Sequence, residues 1–333
     1  MQSTVPSRRF RWLRPLLVAL AVYALVIVAL MIWWDHEPDR FDVAQSAQAR
    51  LQPGQSLATG YVTVATLIRS AESMLDKRGG YLSNDKLPPG VLMDNVPNWE
   101  FGVLTATRDL ARALRNDFSR SQSQSAEDKD LQEADPLFSS PNDRWLLPSS
   151  EGQYRKAIKL VESYAARLAD PGRGNAQFFA RADNLADYLQ VASGRLGSLS
   201  QRLSASVGQV RLETSLGDPG DGAGTSGGPL LVKTPWLKID DNFYEARGYT
   251  WALREQLEAI AIDFGPVLRD KNAVASLEQV IRELEEAQHR VWSPMILNGS
   301  PYGFFANHSL VLANYVSRAN AALIELRTLL RRG

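Results

Sequence analysis

One stretch of the chain has no polar position at all. Leu16 to Trp34 reads LLVALAVYALVIVALMIWW, 19 apolar residues in a row. At 1.5 Å per helical residue the run is about 28 Å long, close to the thickness of a bilayer's hydrocarbon core. Trp12, Trp33 and Trp34 stand at its ends, where aromatic rings favour the membrane interface. The pattern predicts a transmembrane signal anchor over residues 15–34, with the lipid bilayer as its partner. A cleaved signal peptide has an apolar core of about 7–15 residues and small residues at the cut. Here the run ends in Met31-Ile32-Trp33-Trp34-Asp35, which fits an uncleaved anchor better.

Beyond the anchor, apolar positions recur at helical spacing. Val64, Leu67, Ile68, Ala71, Met74 and Leu75 share a face that Gly79-Gly80 closes. Pro88, Pro89 and Pro97 argue against a helix over 79–98, so the next is expected to start at Asn98, its N-cap, and to bury Phe101, Leu104, Leu110, Leu114 and Phe118. Ser150-x-x-Gln153 reads as a capping box before Tyr154, Ile158, Val161 and Leu168. From Phe178 to Leu203 the apolar steps alternate four and three, a heptad seam. Its flanks lack paired Glu and Lys, so it reads as a helix within a bundle; a homo-oligomer seam is the alternative. Three more stripes run from Asn242 to Phe264, from Val274 to Val291 and from Leu310 to Leu330.

The remaining segments are polar or rich in Gly and Pro. Residues 35–60 read as a short helix or tether. Residues 119–149 read as a surface loop, and GDPGDGAGTSGGP at 217–229 as a flexible one. VRLETSL and LLVKTPWLKI on its two sides permit a small β-hairpin. The fold class expected is mainly α, an N-terminal transmembrane helix followed by a helical-bundle-like extracytoplasmic domain over 61–333. That domain holds about seven or eight helices joined by short connections.

Charge sets the orientation. Residues 1–34 carry Arg8, Arg9, Arg11 and Arg14 and no acid, which leaves 33 basic against 37 acidic residues in the rest. Basic residues before the span place 1–14 in the cytoplasm and the body across the membrane. The mildly acidic body argues against nucleic acid as a partner. With no Cys in the chain, thiolate metal sites and thiol nucleophiles are excluded.

Catalytic motifs do not stand out. The chain has no P-loop, no H-E-x-x-H and no EF-hand loop, and its three His are His36, His289 and His308. No catalytic, metal or cofactor residue set emerges, and no cofactor is expected. Carboxylate chemistry needs no local motif, so Asp94, Glu100, Asp240, Asp241 and Glu245, which lie near aromatics, keep a glycan or peptide hydrolase open as the alternative function. The candidate ligand or partner surface lies in two irregular stretches: Tyr81, Asn95, Asn98, Trp99 and Glu100 in the first, and Asn298, Tyr302, Phe304, Asn307 and His308 in the second. Rings that stack beside amides that direct hydrogen bonds suit sugars or peptides.

Three segments carry a resemblance: DKRGGYLSNDKLPPGVLMDNVPNWEFGVL at 76–104, TPWLKIDDNFYEARGYTWALREQL at 234–257 and SPMILNGSPYGFFANHSLVLANY at 293–315. With the N-terminal anchor they resemble a family of uncharacterised single-span inner-membrane proteins of Gram-negative bacteria, a domain of unknown function. The resemblance implies an inner-membrane anchor and a periplasmic body, and carries over no catalytic residue. The expected role is a non-enzymatic cell-envelope scaffold or regulator that binds envelope proteins or peptidoglycan.

Overall fold

In the computed structural model, residues 13–121, 126–170, 172, 175–212, 229–293, 295–300 and 303–332 are described. The apolar run forms helix α1, Leu13–Trp34. It is long and apolar enough to cross a membrane, and none of its most hydrophobic stretch is buried by the rest of the chain. Ten further helices follow: α2 (Val43–Ala49), α3 (Tyr61–Asp76), α4 (Asn95–Ala113), α5 (Lys129–Phe138), α6 (Ser150–Leu168), α7 (Ala182–Ser204), α8 (Ile239–Asp263), α9 (Gly265–Asp270), α10 (Val274–Glu286) and α11 (His308–Arg331). Strands β1 (Gln209–Leu212) and β2 (Pro229–Val232) pair antiparallel, Gln209 opposite Val232 and Leu212 opposite Pro229. The small hairpin that the sequence permits is therefore present. The Gly-rich loop between its strands lies largely outside the described residues.

Helix α8 is the axis of the body. α4 and α3 pack on it, as do α10, α7 and α11, while α5 and α6 pair outside α3 and α4. Its middle is buried on every side, from Ala246 to Leu257 without a break. A helix covered all round shows little amphipathic bias. The α4–α8 crossing is the closest approach. A Cβ on Gly102 would lie 2.1 Å from the Glu245 carbonyl oxygen, and one on Gly248 would lie 2.0 Å from that of Trp99. Two glycines let the backbones meet where side chains would hold them apart.

The heptad seam of α7 is covered within the chain. Leu185, Leu189, Ala192, Leu196, Leu199 and Leu203 are all buried, against α11 and α8. It is an intramolecular seam.

Four boundaries differ from the sequence reading. α4 starts at Asn95, not Asn98, because Pro97 falls in the first turn, where no intrahelical N–H is required. α8 starts at Ile239, so Asp240 and Asp241 lie in its first turn rather than ahead of it. The N-cap of α6 is Ser149, whose hydroxyl accepts from Gly152 N at 3.1 Å. Within the expected loop 119–149, α5 buries Leu131, Ala134 and Phe138.

The segment after α1 is held against the body. Glu37 accepts from Arg247 Nε at 2.7 Å and Nη2 at 2.6 Å. Arg40 pairs with Glu285, and the Phe41 ring stands edge-on to Trp251 at 5.9 Å. Val43 and Ala47 of α2 are buried. Residues 35–49 thus form a packed strut rather than a loose tether.

Candidate functional site

The two irregular stretches meet in one place. A cleft of about 450 Å³ is lined by Asp94 and Asn95 at the start of α4, by Lys233, Thr234, Trp236, Leu237, Ile239 and Asp240 before and within α8, and by Met295 to Asn298. α4 and α8 both begin here, so their first turns form one wall and the second irregular stretch forms the other. Asp240 is pushed above the usual carboxylate range by burial, and then by the charge of Asp94. Asp35 is raised by burial and by Glu37 and Asp94.

The candidates of the first stretch divide sharply. Asn95 borders the cleft and its side chain bonds Asp35. Asn98 donates to the Asp94 carbonyl and to Asp241 Oδ1, both at 2.9 Å, which ties α4 to α8. The other three are structural. Tyr81 is buried and donates to the Asn142 carbonyl at 3.0 Å. Trp99 is fully buried against Trp251, ring centres 5.3 Å apart. Glu100 is also fully buried. It accepts from Leu82 N and Ser83 N at 2.8 Å, from the Ser83 hydroxyl and from Lys77. A carboxylate so saturated holds the loop at 77–83 and has no free lone pair for a ligand.

The second stretch forms a short loop with a polar root and an apolar tip. Asn298 donates to the Ser206 carbonyl at 2.8 Å and accepts from Asn307 at 2.9 Å. Asn307 also donates to the Gly299 carbonyl, and its oxygen caps α11 by accepting from Leu310 N at 2.9 Å. His308 Nδ1 accepts from Leu297 N at 3.0 Å. Burial lowers the His308 pKa, as suits a ring whose Nδ1 lone pair is in use. These amides, read as ligand groups, build the loop. The tip is different: Phe304 and Phe305 are exposed, Phe304 completely. Tyr302 lies outside the described residues.

The other carboxylates singled out are paired. Glu245 takes both Nη atoms of Arg202 at 2.6 Å, and Asp241 takes Lys238 at 2.7 Å. A second cleft, about 440 Å³, lies under the strut and is lined by Asp35 to Arg40, Trp99, Arg247, Trp251 and Arg290. Neither indole N–H of Trp99 and Trp251 finds a partner among the described residues.

The sequence reading passed over one group. Leu87, Leu92, Trp145, Leu147, Trp236 and Leu237 are large, apolar and exposed. All sit in irregular segments or single 3-10 turns beside Pro or within a few residues of one: Leu87-Pro88-Pro89-Gly90-Val91-Leu92, Trp145-Leu146-Leu147-Pro148 and Pro235-Trp236-Leu237. Apolar residues in Pro-bearing loops were the available signal.

These features define a helical-bundle protein with one apolar N-terminal helix and an apolar-rimmed cleft beside it. The chain belongs to the DUF2333 family, described as an uncharacterized protein conserved in bacteria, whose profile matches residues 6–333. No curated protein and no solved structure matches it.

Proposed function

We propose that the chain is a non-enzymatic scaffold or regulator of the bacterial cell envelope, anchored in the inner membrane by α1 with its body in the periplasm. Residues 1–14 then lie in the cytoplasm, as their four Arg favour. The observation that carries the reading is an exposed apolar tip on a hydrogen-bonded root. Phe304 and Phe305 stand in solvent on a loop whose root is fixed by Asn298, Asn307 and His308. Exposed aromatic side chains of this kind are the anchors enriched at protein interfaces, which suits a protein partner.

The test is photo-crosslinking in intact cells, with benzoyl-phenylalanine in place of Phe304 and, as a control, Ile262. Expected is a discrete adduct to one envelope protein from position 304 and none from 262. Adducts to peptidoglycan would name the cell wall as partner, and adducts of 304 to a second copy would make the loop a dimer contact. Equal labelling from both positions would end the reading.

The hydrolase reading has one observation in its favour. Asp94 and Asp240 lie on one cleft, and burial together with the charge of Asp94 raises the Asp240 pKa above that of an ordinary Asp, the direction a general acid needs. Cleavage of cell-wall glycan or peptide by the purified chain, lost in D94N and in D240N, would establish it.

A further inference from the structure

We infer that the body rests on the membrane through a built apolar foot, the rim around the exit of α1, which sits in the headgroup–acyl boundary of the same bilayer. The inference rests on the anchor reading above and adds a second membrane contact to it.

The argument starts on α1. Its exposed faces can be covered only by lipid or protein, since nothing in the chain covers them. Its last turns, however, lie beside the body. Val28, Met31 and Ile32 share a groove with Leu92, Met93, Asp94 and Asn95. A Cβ added at Gly79 would lie 2.7 Å from the Trp34 ring, so the loop at 77–83 abuts the end of the helix. From Val28 to Trp34 is about 9 Å along a helix axis. The interfacial layer on each side of the hydrocarbon is roughly 5–8 Å thick. If α1 fills the bilayer to Trp34, then Leu92 lies at or below the level where headgroups meet acyl chains.

Neighbouring loops extend the same rim. The 81–85 loop is bound to the 141–149 loop through Tyr81 to the Asn142 carbonyl and Asn84 to the Arg144 carbonyl, at 3.0 and 3.2 Å. That second loop carries Trp145 and Leu147, the latter 94% exposed. On the other side, Asp94 and Asn95 border both the α1 groove and the cleft that holds Trp236 and Leu237, which are 75% and 73% exposed. Apolar side chains on three segments thus belong to, or are bound to, the loops that border the last turns of α1. Trp and Leu are the residues that partition best into the interface and its acyl edge. The lipid is chosen over a protein partner because the rim is continuous with α1, which the anchor reading places in lipid.

The far end of the molecule supplies the control. Ile262 lies 23 residues after Ile239 on α8, about 35 Å from the rim end of that helix.

The experiment uses the absence of Cys from the chain. Single substitutions L92C, L147C and L237C place a nitroxide on the rim, A24C places one in mid-span, I262C places one on the remote surface, and V191C places one on the exposed side of α7. The full-length protein is reconstituted in vesicles of phosphatidylethanolamine and phosphatidylglycerol. Collision rates with oxygen, which concentrates in lipid, and with a water-soluble nickel chelate are compared. Expected is an oxygen-to-nickel ratio at the three rim sites several-fold above that at Ile262 and Val191, approaching that at Ala24. Rim ratios equal to those of Ile262, with Ala24 in lipid, would overturn the foot and leave the anchor standing. A water-exposed Ala24 would remove the anchor and the foot together. Rim sites shielded from both reagents would show a protein surface, such as a second copy, in place of lipid, and overturn the proposal.

Discussion

Glu255 is fully buried. One of its carboxylate oxygens accepts from Arg254 at 2.9 Å, while the other has no partner among the described residues. Burial raises its pKa to about 7, against attraction from Arg254 that lowers it. The linkage sign follows from comparison with the unfolded chain, where Glu ionises near its ordinary 4.5. Between about pH 4.5 and about pH 7 the folded protein holds a proton that the unfolded one has lost. This group's contribution to stability is full below about pH 4.5 and falls as pH rises towards about 7. The loss is on the order of 3 kcal/mol. E255Q stays neutral throughout, so its melting temperature minus that of the parent should rise from about pH 5 to about pH 8. A difference independent of pH would refute the protonated carboxyl. Glu100 shows how little of this is legible residue by residue. Its place beside Trp99 suggested a ligand group, yet its partners Lys77, Leu82 and Ser83 reach it only because the chain turns back through Gly79-Gly80. No spacing rule encodes that return.

Among the elements, those with long periodic stripes were readable: α3, α6, α7, α10 and α11 bury most of the residues that their spacing marks, though Val274 is exposed and Val291 lies beyond the end of α10 at Glu286. α5 was not, because it has ten residues, contains Pro136 and follows a run of Ser and Gln. Its three buried apolar residues are too few to set a period. Pro97 reads as a breaker along the chain but is tolerated in the first turn of α4, so the helix starts earlier than the pattern predicts. The α4–α8 crossing was not legible either, since a glycine inside a helix gives no sign of what approaches it. It does give a test. On propensity alone Gly→Ala would stabilise a helix by up to about 1 kcal/mol. At Gly102 and Gly248 the new methyl would meet backbone atoms at 2.1 and 2.0 Å, which cannot move aside as a side chain can. Net destabilisation of about 1–3 kcal/mol is expected for G102A and for G248A, read by denaturant unfolding. G194A is the control, because its Cβ meets nothing within 4 Å, and it should leave stability unchanged or raised.

For the molecule as a whole, the open variable is the angle between α1 and the body, and Arg247 binds the segment that joins them. Its guanidinium is 7% exposed. It bonds both oxygens of Glu37 and donates to the His289 carbonyl at 2.9 Å, so one side chain ties the strut to α8 and to the end of α10. A buried bidentate pair of this kind gains little net stability over an apolar pair, but it imposes one geometry. R247M would keep much of the packing volume while freeing Glu37 to turn to water. The expected effect is therefore on geometry more than on folding. With nitroxides at A24C and I262C in the reconstituted protein, the inter-label distance should be narrow in the parent background and broaden in R247M, with α-helical content unchanged. E37Q should broaden it less, because an amide still accepts one of the two bonds. A distribution that stays narrow in R247M would assign the fixed angle to the Trp34–Gly79 contact and the rim instead. A parent distribution that is already broad would mean that the strut does not hold the body at one height above the membrane.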